Sequence, residues 1–166
     1  MGEKMKCLVN KPYPKIRVEK KSLETAKILS HLYASNESKM TAINQYIYET
    51  LVLENKEIAS IIRDIAIVEM HHLEILGKLI NCLGCIPIYA DCNYNETNYW
   101  NSDYVYYDTD LKTILDINIE AETKAIYNYQ MVLNVIEDIY VKENIKRIIE
   151  DEYLHLEIFE KLKENL

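Results

Sequence analysis

Residues 68–79 read VEMHHLEILGKL and residues 151–162 read DEYLHLEIFEKL. Each stretch sets a glutamate three places before a histidine, Glu69 with His72 and Glu152 with His155, and each continues with Leu-Glu-Ile and Lys-Leu. On a helix, residues three apart share a face. The face here is apolar: Ile62, Ile65, Glu69, His72, Leu76, Leu79, Leu83 and Ile145, Ile148, Glu152, His155, Phe159, Leu162, Leu166 advance by alternate steps of three and four. Both polar pairs therefore aim into a core.

Two further stripes also advance by threes and fours, Leu29, Leu32, Asn36, Lys39, Ile43, Tyr46, Thr50, Leu53 and Leu115, Asn118, Glu122, Ile126, Tyr129, Leu133, Ile136. The halves repeat at one offset. Glu69, His72 and Tyr46 recur 83 residues on as Glu152, His155 and Tyr129, and TAINQY (41–46) faces KAIYNY (124–129). A shared offset across separated blocks marks a duplicated helical hairpin. The polar ENKE (54–57) suits a tight turn inside the first hairpin, and the Tyr- and Asn-rich 88–110 suits a long crossover to the second. The expectation is an all-α four-helix bundle over 22–166, preceded by an extended arm, 1–21, that carries Pro12 and Pro14.

Three Gly and three Pro leave little material for an all-β fold, and a net charge of −8 argues against a nucleic-acid partner. No stretch approaches the roughly 20 apolar residues of a membrane span, nor does MGEKMKCLVN resemble a signal peptide, so a cytoplasmic protein with reduced thiols is expected. Cys82 and Cys85, with Cys92 and Cys7, offer a metal or redox pair, or simply small buried hydrophobes at a helix end.

Two imidazoles and two or more carboxylates in a core must pair, lose their charge or bind a metal, and as O/N donors they suit iron, manganese or zinc. Through TAINQYIYE, IVEMHHLEILGKL and EDEYLHLEIFEKL the chain resembles the ferritin-like superfamily, most closely the rubrerythrin and manganese-catalase groups. The resemblance implies a di-iron or di-manganese centre with ligands Glu69, His72, Glu122, Glu152 and His155. At about 100° per residue Glu122, seven before Tyr129, lies on the inward stripe, whereas Glu120 lies opposite. The family's first-helix ligand is likewise a glutamate seven before the tyrosine of its AINQY-like motif, and here that position is Lys39. Glu37 matches outward-facing Glu120 and serves only if the helix is locally overwound.

An ammonium has no lone pair to give a metal. Either one metal ion remains, held by Glu122, Glu152, His155 and the other pair, or Lys39 completes a buried ionic network. Asp151 is placed to orient His72 across the bundle, or is a solvated acid. Tyr46 and Tyr129 either bond the ligands or are ordinary core tyrosines. His71 is expected at the surface or behind the ligands, and His31 in solvent. The resemblance implies reduction or disproportionation of hydrogen peroxide, with oxygen-dependent iron oxidation and storage, or a structural role for a degenerate bundle, as alternatives. Family members often carry two Cys-x-x-Cys pairs as an iron site. These 166 residues hold one such spacing, Cys82 to Cys85, and not two, so a peroxidase would take electrons from another protein, and a homodimer is expected.

Overall fold

The computed structural model describes residues 7–92 and 96–166. Its helices are α1 (Leu23–Ala34), α2 (Lys39–Val52), α3 (Lys56–Cys82), α4 (Leu111–Val135) and α5 (Ile139–Glu164). Each starts on a polar cap, Ser22, Ser38, Asn55, Asp110 or Asp138, whose side chain accepts a first-turn N–H. Helices α2 and α3 pack as one hairpin and α4 and α5 as the other, with α1 on α3.

The stripe from Leu29 to Leu53 predicts one helix, but the chain breaks it into α1 and α2. The Ser35 carbonyl accepts from the Ser38 and Thr41 hydroxyls (2.6 and 2.8 Å), so side chains replace the amide ladder there. Ser38 then caps α2, while Asn36 and Glu37 turn to solvent. Lys39 thus becomes the first residue of α2.

Gly84, at φ +94°, ends α3 in the left-handed region. The crossover that follows carries a two-residue antiparallel ladder, Ala90–Asp91 with Asn98–Tyr99, and a 3₁₀ turn at Ser102–Tyr104. His31 is not free in solvent: its Nδ1 lies 2.8 Å from Asp91 Oδ2, tying the crossover to α1.

The apolar interior has two halves. One gathers Leu29, Leu32, Leu76, Leu79, Ile145 and Ile148, and the other Leu53, Ile62, Ile65, Ile114, Leu115 and Phe159. Along α3, α4 and α5 the residues separating them are the polar ones: Glu69 and His72, Asn118 and Glu122, and Asp151, Glu152 and His155, all buried. Residues 7–21 form no helix and lie on the bundle, with Cys7 buried. Among the described residues no helix is long and apolar enough to cross a membrane.

Candidate metal centre

The polar layer brings together Lys39 from α2, Glu69 and His72 from α3, Glu122 from α4, and Glu152 and His155 from α5, each at most 3% exposed. Ionisable groups this deep survive only by satisfying one another or a bound ion.

The layer has two unlike sides. On one, Lys39 Nζ donates to Glu69 Oε2 (2.7 Å) and Glu152 Oε2 (2.5 Å) and lies 5.5 Å above the Tyr129 ring. Burial opposes this ammonium, but the two glutamates outweigh it and hold its pKa well above the usual range. A cation at a helix N-terminus also opposes the helix dipole, so the carboxylates compensate both costs. Beside it, His72 Nδ1 is 3.1 Å from Glu69 Oε2 and 3.0 Å from Glu152 Oε1, while Nε2 meets Asp151 Oδ2 at 3.0 Å. Burial disfavours a charged His72, yet Asp151, Glu152 and Glu69 raise it to about 10. In this arrangement His72 is an imidazolium donating from both nitrogens.

On the other side, ligand atoms of Glu69, Glu122, Glu152 and His155 all lie within 4.8 Å of one another. His155 Nδ1 is 3.1 Å from Glu69 Oε1 and 3.9 Å from Glu122 Oε1. Tyr46 Oη donates to Glu122 Oε1 (2.5 Å). Burial and repulsion from Glu152 and Glu69 push Glu122 well above the usual carboxylate range, whereas burial of Glu69 is outweighed by Lys39 and both histidines, which hold it well below. Two carboxylate oxygens of this group remain without a hydrogen bond: Glu122 Oε2, and Glu152 Oε1, whose approach to His72 is a charge contact only. Three carboxylates, one imidazole and two orphaned oxygens fit one divalent ion with oxygen and nitrogen preferences. The Lys39 side, filled by an ammonium, does not fit a second.

Glu37 stands apart, exposed, accepting from Asn128 Nδ2 (3.1 Å) and 3.7 Å from Lys124. The turn that starts α2 at Lys39 leaves it outside the bundle. Tyr129 Oη, buried, has no partner. His71 is exposed, 3.6 Å from Glu74. The four cysteines form no disulfide among the described residues, and none belongs to the metal-competent group found there.

Some contributors carry no sequence motif. The arm supplies Tyr13, whose hydroxyl donates to Asp151 Oδ2 (2.5 Å) 3.1 Å from His72 Nε2, and the Cys7 carbonyl, 2.9 Å from His155 Nε2. Arg147 is 2% exposed and ion-pairs with Asp151 at 2.8 Å. On α2, one turn beyond Tyr46, buried Glu49 accepts from Asn118 Nδ2 (2.8 Å) and Gln45 Nε2 (2.9 Å) and has no cation among the described residues. Burial raises it to about 7 despite those hydrogen bonds. Its signal was faint: Glu49 lies beside the inward stripe, three residues after Tyr46 and four before Leu53.

The rubrerythrin family model matches residues 27–163. Among solved structures, a manganese catalase from Anabaena PCC7120 superposes with a TM-score of 0.86 at 24% identity, over 94% of this chain and 78% of its own. A Desulfovibrio desulfuricans bacterioferritin, described with a diiron site, gives 0.71 at 25% identity over 84% and 78%. The Mycobacterium tuberculosis bacterioferritin gives 0.71 at 20% over 87% and 87%. No curated protein sequence matches the chain.

Proposed function

Because the chain belongs to the rubrerythrin family, we propose that it is a non-haem metalloprotein holding one iron or manganese ion between Glu69, Glu122, Glu152 and His155 and acting on hydrogen peroxide. The observation that carries this reading is the Lys39 ammonium lodged between Glu69 and Glu152. It puts a fixed positive charge where a two-metal centre needs donors. Without a metal the layer is neutral, Lys39 and His72 balancing Glu69 and Glu152 with Glu122 protonated, while Asp151 cancels Arg147. One divalent ion that displaces the Glu122 proton adds one positive charge, and a second would raise the excess to three in a dry interior, at a cost of several kcal/mol or more.

When bound, an iron or manganese ion supplies the change of oxidation state that peroxide chemistry needs. The chain's residues do the positioning and the proton work. Tyr46 holds Glu122 through Oε1 and leaves Oε2 free, and Glu122 keeps a proton until a cation displaces it. His72 and Lys39 present fixed N–H donors to the shared edge of Glu69 and Glu152. The apolar halves above and below keep bulk water from the layer.

The peroxide assignment is supported by the likeness to a manganese catalase. Iron oxidation and storage finds similar support in the bacterioferritins, but a storage shell would elute as a very large assembly. The test is metal analysis of protein prepared without chelators, followed by a peroxide-consumption assay. The expected result is close to one equivalent of metal and peroxide loss that stops when the metal is removed. Less than about a tenth of an equivalent of any transition metal overturns the reading and leaves a structural bundle.

A further inference from the structure

We propose that residues 7–13 are a strap that builds the metal centre from outside the bundle, with the Cys7 main-chain carbonyl fixing the tautomer of His155. This rests on the metal reading above. One face of α5, Arg147, Asp151 and His155 at successive steps of four, spends its polar groups on the arm. Arg147 donates to the Val9 and Lys11 carbonyls (Nη2 at 3.0 Å to each, Nε at 3.1 Å to Lys11), Asp151 accepts from the Val9 N–H (2.9 Å) and Tyr13 Oη, and His155 Nε2 meets the Cys7 carbonyl at 2.9 Å. A guanidinium buried to 2% exposure needs such partners, and here they are arm carbonyls. Its plane also lies 4.3 Å from the Tyr13 ring, whose edge meets His71.

The duplication gives this contact its meaning. His72 has Asp151 at Nε2, but the residue 83 places before Asp151 is Val68, so α3 offers His155 no equivalent acid. The Cys7 carbonyl stands in for it. A carbonyl oxygen only accepts, so Nε2 must carry the hydrogen, and Nδ1 is left to the cluster of Glu69, Glu122 and Glu152. The strap thereby presents a ring nitrogen to the ion as outer-shell acids do elsewhere.

Two variants test this, deletion of residues 2–10, and Arg147→Met, which unpins the strap without shortening the chain. In metal-free protein labelled with ¹⁵N-histidine, His155 should show an Nε2-bound hydrogen that exchanges slowly with water, and both variants should lose that protection while circular dichroism keeps the helices. Cobalt(II), competed against a chelator, should bind about 10- to 100-fold more weakly to both variants. If the deletion does not fold, Arg147→Met carries both readouts. Unchanged His155 spectra together with cobalt affinity within about twofold of the parent would overturn the strap. Failure of the parent chain to bind cobalt would sink the metal reading instead, and the spectra of the metal-free protein would still judge the strap.

Discussion

The two halves of the bundle descend from one hairpin pattern yet treat their equivalent tyrosines oppositely. In one, Tyr46 donates to Glu122; in the other, Tyr129 should by symmetry reach residue 39, and finds Lys39, whose ammonium has gone to Glu69 and Glu152. Tyr129 keeps an unpartnered hydroxyl and lends only its ring face. One substitution in a duplicated frame thus turns a symmetric set of donors into one ammonium site and one cation site. Within the layer electrostatics carries the asymmetry, and it is joined by a difference in the helices, since the first half is broken into α1 and α2 where α4 runs unbroken.

The hardest blow to that comparison is Lys39→Met, which strands Glu69 and Glu152 without their cation. Metal-free protein should lose about 3–5 kcal/mol in urea titration. Equal stability would show that Lys39 does not neutralise the layer. Lys39→Glu should restore the symmetry, giving Tyr129 an acceptor and raising bound metal from one to two equivalents by mass spectrometry. Metal content unchanged at one would mean that Lys39 is not what limits it.

Away from the layer, Glu49 offers a pH test. Its pKa rises from 4.5 to about 7 on folding, so the folded chain binds the proton more tightly and this group favours folding at low pH. That contribution fades as pH climbs from about 4.5, and above 7 Glu49 costs about 3 kcal/mol. Glu49→Gln should therefore stabilise the protein at pH 8 and little at pH 4, since the free Asn118 Oδ1 can accept from the new amide. Parallel stability curves would contradict the buried, uncompensated carboxylate.

Smaller effects distinguish the two tyrosines. Tyr46→Phe removes a hydrogen bond to a buried carboxyl group and should cost about 1.5–3 kcal/mol. Tyr129→Phe loses no partner and should stay within about 0.5 kcal/mol or stabilise. Glu37→Ala, on the surface, should leave metal content alone and shift stability by under about 0.5 kcal/mol.

The stripes through α3, α4 and α5 were legible because burial enforces a period, and so were the helical turn of about 100° per residue that separates inward Glu122 from outward Glu120 and the 83-residue offset that sets Lys39 opposite Glu122. The break between α1 and α2 was not, since Leu32, Asn36 and Lys39 keep their steps of three and four across it. Ser35, Ser38 and Thr41, hydroxyls that compete for backbone, were the available sign. The strap was harder still. It acts through the Cys7, Val9 and Lys11 carbonyls, which every sequence has, and only Arg147, Asp151 and His155 at steps of four hint that a face of α5 needs a polar cover.

Whether one ammonium and one metal ion share this core is decided by an anomalous-difference map of manganese-soaked crystals. A single peak bounded by Glu69, Glu122, Glu152 and His155 is expected, with Lys39 still bridging Glu69 and Glu152. Two peaks about 3.5–4 Å apart, with Lys39 swung out of the layer, would contradict it.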